Sequence, residues 1–311
     1  MIKKVVFMGT PDFAVGTLKA LIDSKYEVAA VFSQPDKPKG RGKALQMTPT
    51  KEVAVEAGIP VYQPAKIREA QWLSVLEELA PDVIVVVAFG QIIPESILKL
   101  PKYGCINVHA SLLPKYRGAA PIQWAVIDGE KESGVTTMQM DAGLDTGDML
   151  LKETVALEEK ETGGSLFDKL SEVGAQLLIK TLEALENGTV TAQKQPAESP
   201  TPYAAMLTKK QGEIDWNQDA KKIECLIRGL NPWPIALTTL SGERLKVFAA
   251  EKANGNGEPG TVLEADPKKG LTVACGEGAL KLTEIQLVGG KRMKATDFLR
   301  GHAIEVGTKL N

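Results

Sequence analysis

Cysteine and histidine are scarce in this chain, which holds three of the first (Cys105, Cys225, Cys275) and two of the second (His109, His302) in 311 residues. The cysteines are widely separated and form no C-x-x-C pair. That argues against a disulfide framework and a zinc site, and fits a reducing compartment. Two histidines do not easily build a metal centre, and no metal is expected. No apolar run approaches membrane-spanning length. The opening M-I-K-K-V-V-F-M-G meets Pro11 and Asp12 so soon that it reads as a first strand, not a signal peptide, and a cytoplasmic location is expected. A dinucleotide fingerprint is missing too, because V-V-F-M-G-T-P-D-F-A has Pro11 and Ala14 where G-x-G-x-x-G needs glycine. Proline also removes a backbone donor that a phosphate cradle uses. A nicotinamide cofactor is set aside. There is no G-x-S-x-G elbow, and Ser111 stands two residues from His109, which leaves little for a Ser-His-Asp hydrolase. Internal repeats are absent.

What is present is the composition of a soluble globular protein, 43% apolar and 24% charged, long enough for two domains with separate cores. The net charge of −2 hides an asymmetry. Residues 1–208 carry 21 Lys and Arg against 26 Asp and Glu, and residues 209–311 carry 16 against 13. Either this is ordinary scatter, or the C-terminal part faces a polyanion, which requires only a local basic surface.

Strand and helix signals alternate over residues 1–110. Buried-type strands are expected at Lys4–Met8, Glu27–Phe32, Ile59–Tyr62 and Asp82–Ala88. Helices are expected at Pro11–Ser24, at Pro49–Gly58 with Thr48 as N-cap, and at Arg68–Leu79. The alternation implies βαβ units and a parallel sheet covered on both faces. Ligands then gather beyond the carboxyl ends of the strands, which places Gly9–Pro11, Phe89–Gln91 and Asn107–His109 along one rim. Gly163–Glu186 has the spacing of a long amphipathic helix, with Leu166, Leu170, Leu177, Leu178 and Leu182 on its apolar face. The proline-rich stretch after it offers little to bury and reads as a linker. Beyond it lie a helix over Ala220–Leu230 and short runs at Ala236–Leu240, Leu245–Ala250, Gly260–Glu264, Leu271–Cys275 and Ala279–Val288, the pattern of a small β-barrel.

The stretch that organises the rest is Gly104–Gly118, G-C-I-N-V-H-A-S-L-L-P-K-Y-R-G. Asn107 and His109 are two apart in an extended run, so their side chains share one face. An amide donor beside an imidazole suits chemistry at a carbonyl carbon, one group holding developing negative charge and the other handling a proton. His302, in a charged C-terminal segment, reads as structural. The glycine-rich run M-D-A-G-L-D-T-G-D-M-L-L spaces Asp141, Asp145 and Asp148 without matching a calcium loop. These carboxylates either cap turns or supply one that orients His109. The loop S-Q-P-D-K-P-K-G-R-G-K concentrates Lys37, Lys39, Arg41 and Lys43, and is either a solvated surface loop or a grip for a phosphate backbone.

Taken together, N-V-H-A-S-L-L-P-x-Y-R-G-A-A-P-I-Q-W and M-D-x-G-L-D-T-G-D resemble the folate-dependent formyltransferases over almost the whole chain. The basic loop and the later G-x-I-D-W…I-R-G-L-N-P-W-P are similar to the tRNA-directed members. The resemblance implies a Rossmann-like formyltransferase domain over 1–187, a linker over 188–208 and an OB-like, tRNA-binding β-barrel over 209–311. It implies transfer of a formyl group from 10-formyltetrahydrofolate to the α-amine of initiator methionyl-tRNA, with Asn107, His109 and Asp145 catalytic. Ser111, Leu112, Leu113 and Pro114 would line the folate site, and the backbone near Phe89 and Gly90 would face its ring. Phe89 stands where many relatives have tyrosine, which a backbone contact tolerates. Lys37, Lys39, Arg41 and Lys43 would meet the acceptor end of the tRNA. No unused apolar face calls for a second copy, so a monomer is expected. Transfer to a small amine, and non-catalytic RNA binding, are the competing readings.

Overall fold

The computed structural model describes residues 1–39 and 44–311, so that Arg41 and Lys43 lie outside the described residues. The chain forms two compact units. Residues 1–118, 133–155 and 167–204 make the first, and residues 119–132, 156–166 and 205–311 the second.

Unit 1 starts with β1 (Lys4–Gly9), α1 (Asp12–Ile22) and β2 (Glu27–Phe32), then a hairpin of β3 (Lys37–Lys39) and β4 (Ala44–Gln46). It continues through α2 (Pro49–Glu56), β5 (Val61–Tyr62), α3 (Ala70–Leu79), β6 (Val83–Val87), α4 (Glu95–Leu98) and β7 (Cys105–His109). After α5 (Pro121–Ile127), which belongs to unit 2, come β8 (Glu132–Gln139), β9 (Met149–Ala156) and α6 (Gly163–Asn187). The sheet order is β5-β2-β1-β6-β7-β8-β9, parallel from β5 to β7. β8 returns antiparallel to β7, pairing Asn107 with Met138 and His109 with Thr136. β6 is buried at all five positions, as a strand covered on both faces must be. Leu166, Leu170, Leu177, Leu178 and Leu182 of α6 are all buried. Gly174 of α6 lies so near the sheet that a methyl there would come within 3.0 Å of Val108. Alternation along β7 thus leaves Asn107 and His109 on the face opposite Val108.

Two local features differ from expectation. Thr48 does precede Pro49 at the start of α2, yet its hydroxyl makes no cap bond. It pairs instead with Ser33 Oγ at 2.6 Å, in a buried cluster with Thr50, whose hydroxyl donates to Gly9 O at 2.8 Å. A tertiary partner outbids the local cap. The proline-rich stretch is also tied down along unit 1. Gln193 bridges Met149, Ala204 bridges Gly118, and Gln195 is buried.

Unit 2 holds α7 (Ala220–Gly229), β10 (Ala236–Leu240), β11 (Glu243–Ala253), β12 (Val262–Asp266), β13 (Gly270–Ala274), β14 (Ala279–Leu287), β15 (Met293–Lys294) and α8 (Ala295–Gly301). The sheet runs β10-β11-β14-β13-β12, with β15 beside β14. Residues 307–311 close it. Thr239 and Asn311 exchange N–H···O bonds of 2.7 and 3.2 Å, and Val262 N–H donates to Thr308 O at 2.8 Å. Closure removes open edges. It encloses Leu245, Val247, Val262, Leu271, Val273, Leu280, Leu282 and Ile285, all fully buried.

Candidate active site

The carboxyl ends of β1, β6 and β7 form the rim. Thr10 Oγ1 donates to Phe89 O at 3.3 Å, joining the segments that follow β1 and β6. Gln34, just after β2, donates to Phe89 O at 3.1 Å and to Gly90 O at 3.3 Å. The Phe89 ring is buried in the core, so only backbone is left to face a ligand there, and Gly90 lies exposed at φ 77°. A cavity of about 290 Å³ borders Thr10 and Gln34 and extends to Lys37, Met47 and Glu52 beside the β3–β4 hairpin. Lys37 donates to Gln34 Oε1 at 3.2 Å, and Lys39 pairs with Ala44 across the hairpin through its backbone.

Asn107 and His109 end β7 with exposures of 9% and 6%. The His109 Nε2 lies 3.0 Å from Tyr116 O, and its Nδ1 lies 3.8 Å from Asp145 Oδ1. The second distance suits an ion pair and exceeds a hydrogen bond. Asn107 makes no side-chain hydrogen bond among the described residues, so its donors are free for a ligand. Of the three aspartates, Asp141 caps the turn through Gly143 N (3.0 Å) and Thr146 Oγ1 (2.8 Å), Asp148 is exposed, and Asp145 alone reaches the imidazole.

The turn after β7 is a buried framework. Ser111 Oγ donates to Lys115 O at 2.6 Å, Thr136 Oγ1 donates to Ser111 O at 2.7 Å, and Leu113 packs against Met138 and Met149. Leu112 and Pro114 keep part of their surface open, so they and the backbone are what this turn offers a folate. Lys152 donates to Leu113 O at 2.6 Å, and burial lowers its ammonium pKa. Burial also pushes the Cys105 thiol up to about 12, which makes it an inert core residue.

Three neighbours of Asp145 escaped the sequence reading. Gly118 N–H donates to Asp145 Oδ2 at 2.9 Å. Gln195 donates to Asp145 O at 2.9 Å and is itself held by Arg117. Tyr203 is half exposed, and its phenol is raised by burial and then by the charge of Asp145. Arg117 and Gly118 lie within the run that singled out His109, but Gln195 and Tyr203 sit in the proline-rich stretch and carry no sequence signal. Among the described residues no three His, Cys, Asp or Glu side chains converge as metal ligands. No helix is long and apolar enough to cross a membrane.

The family model for formyl transferase matches residues 3–182, and that for its C-terminal domain matches residues 206–303. The methionyl-tRNA formyltransferase of Lachnospira eligens is 56% identical over 99% of this chain and 99% of its own. That of Agathobacter rectalis is 55% identical over 98% of each. Among solved structures, the N-formyltransferase from Helicobacter canadensis in complex with folinic acid and dTDP-3-aminofucose superposes with a TM-score of 0.68 at 19% identity, covering 94% of this chain and 100% of that one. HypX from Aquifex aeolicus in complex with tetrahydrofolic acid gives 0.63 at 18% identity over 99% of this chain, which spans 50% of its length. These two share the fold, whereas the sequence relatives match from end to end. The chain belongs to the formyl transferase family.

Proposed function

We propose that this protein transfers the formyl group of 10-formyltetrahydrofolate to the α-amine of initiator methionyl-tRNA, giving N-formylmethionyl-tRNA for translation initiation. The observation that carries the chemistry is one face of β7 presenting a free amide and an imidazole, with the Asp145 carboxylate 3.8 Å from the ring. The end-to-end likeness to methionyl-tRNA formyltransferases selects the acceptor.

An α-amine titrates near pH ~8, so a usable fraction is already neutral and the nucleophile needs little activation. The costly features are the oxyanion and the extra proton on the attacking nitrogen. As the C–N bond forms, Asn107 donates its amide N–H to the oxyanion, and His109 beside it supports the same charge. Asp145 holds the ring and accepts the amine proton, directly or through water. That proton passes to the folate nitrogen as its bond to the formyl carbon breaks. Ser111–Pro114 and the backbone at Phe89–Gly90 bind the folate. Residues 1–187 carry the reacting groups, and 188–208 brace them and lead on to a tRNA-holding barrel over 209–311. Lys37, Lys39, Arg41 and Lys43 grip the acceptor end. The protein works as a cytoplasmic monomer.

The deciding assay is transfer of labelled formyl to methionyl-tRNA against small amines. Asn107→Ala, His109→Ala and Asp145→Ala should each cut turnover about 100–1000-fold with tRNA binding retained. Near-wild-type turnover would remove that residue from the trio, and preference for a small amine would replace the acceptor. Arg41→Ala should weaken use of charged tRNA without changing folate affinity, by a margin that shrinks with added salt. An unchanged rate would make the loop a bystander.

A further inference from the structure

Asp145 has its backbone in the left-handed region, at φ 56°. A non-glycine residue there is strained and stays only where its surroundings hold it. Gly118 N–H fixes the carboxylate. The backbone is fixed by Gln195, whose Nε2 donates to Asp145 O at 2.9 Å and to Gly147 O at 2.7 Å. One amide nitrogen thus spans both ends of the dipeptide that follows Asp145.

The Gln195 amide is held in the orientation this requires. Its Oε1 accepts from Arg117 Nε at 3.0 Å, so the NH₂ group must face the two carbonyls. Arg117 is 7% exposed, and its remaining donors reach Pro196 O at 2.7 Å and Ala197 O at 3.2 Å. Gln195 is equally buried, at 7%. A buried amide and a buried guanidinium with their donors and acceptors matched form a rigid support, and leaving one partner bare is costly. The 147 position has no slack either. A Cβ on Gly147 would lie 1.8 Å from Gln139 O.

We propose that Gln195 is a positioning residue for Asp145, its amide locking the carbonyls of 145 and 147 so that the carboxylate meets His109. Arg117 supports it by fixing which way the amide points. The inference rests on the reading of Asp145 as the carboxylate of formyl transfer, and it adds a residue to that machinery. Gln195 acts through Asp145 and touches no reacting atom.

Gln195→Met keeps the bulk and removes the bonds donated to the 145 and 147 carbonyls. Displacing a reacting group by about 1 Å can cost about 100-fold, so kcat should fall by that order while both KM values stay near wild type. The melting midpoint should fall as well, because Arg117 Nε loses its buried acceptor. In an Asp145→Ala background the same substitution should cost less than about twofold, because the residue it positions is gone. An equal loss in both backgrounds, or an unchanged kcat, would overturn the proposal. Arg117→Lys keeps the charge but loses Nε–H, and should give a smaller loss of the same kind if Gln195→Met fails to fold. Amide hydrogen exchange over residues 141–148 reads the positioning without any activity. Faster exchange in Gln195→Met is expected, and unchanged exchange would sink the proposal even if the wild type proved inactive on methionyl-tRNA. That last result alone would instead remove the functional reading.

Discussion

Both ring nitrogens of His109 face oxygen, Nε2 towards Tyr116 O at 3.0 Å and Nδ1 towards Asp145 at 3.8 Å. With both nitrogens so placed, the most direct contact with the oxyanion in the proposed mechanism falls to Asn107. This ranks two substitutions. Asn107→Ala removes the donor, whereas Asn107→Asp puts a carboxylate of nearly the same shape where negative charge develops. The aspartate should be the slower enzyme, by more than the roughly 100-fold that a lost donor costs, in single-turnover transfer with both substrates saturating. An aspartate as fast as the alanine would mean that the oxyanion forms away from residue 107. Asn107 and His109 were legible because a two-residue spacing on a strand fixes a shared face. By spacing alone Asp145 was one of three equivalent aspartates; the family resemblance singled it out, and in the structure it alone of the three reaches His109. Gln195 was illegible because a neutral amide among prolines has no pattern, and its role exists only once residues 145 and 195 are adjacent.

At the scale of elements, the hairpin with the basic residues is moored at its base. Lys51 on α2 donates to Asp36 Oδ2 at 2.5 Å and to Gln63 Oε1 at 2.7 Å, while Gln63 Nε2 donates to Asp36 Oδ1 at 2.7 Å and Gln34 O at 2.9 Å. The Lys51 ammonium first, and the Gln63 amide next, hold the Asp36 carboxyl below the usual carboxylate range. The folded state then binds this proton less tightly than the unfolded chain, so protonation favours unfolding. The contribution of these Asp36 contacts is complete above the unfolded carboxylate's pKa of about 4 and is lost as pH falls through the lower folded value. Asp36→Asn should therefore cost about 1 kcal/mol at pH 7, and the gap from wild type in thermal melts should close as acid is added below about pH 4. A gap indifferent to acid would mean that shape, not charge, holds the hairpin base. The alternation of strands and helices was readable from hydrophobic spacing alone. The antiparallel return of β8 was not, since buried strands look alike whichever way they run.

Across the whole molecule, unit 2 is assembled from three separate stretches of chain that meet at Gly229, the last residue of α7. A methyl group at Gly229 would come within 2.5 Å of Ile127 Cγ1 and 3.0 Å of Gln123 O on α5, while a methyl at Gly163 would lie 2.4 Å from Gly229 O. Backbone touches backbone there, and glycine is what allows it. Gly229→Ala sets two effects against each other. Alanine improves helix propensity by about 1 kcal/mol, and overpacking a well-filled site costs about 1–3 kcal/mol. Overpacking should win, because the contact with Gln123 O is backbone and cannot rotate away, so the unfolding midpoint in urea should fall. Three of the four tryptophans, Trp124, Trp216 and Trp233, lie in unit 2, so fluorescence reports this unit above all. Adding Ile127→Ala removes the nearest contact and leaves the Gln123 one, and should restore only part of the loss. If Gly229→Ala melted with the wild type, α5 would be free to yield, and residues 119–132 would ride on the barrel without bracing it.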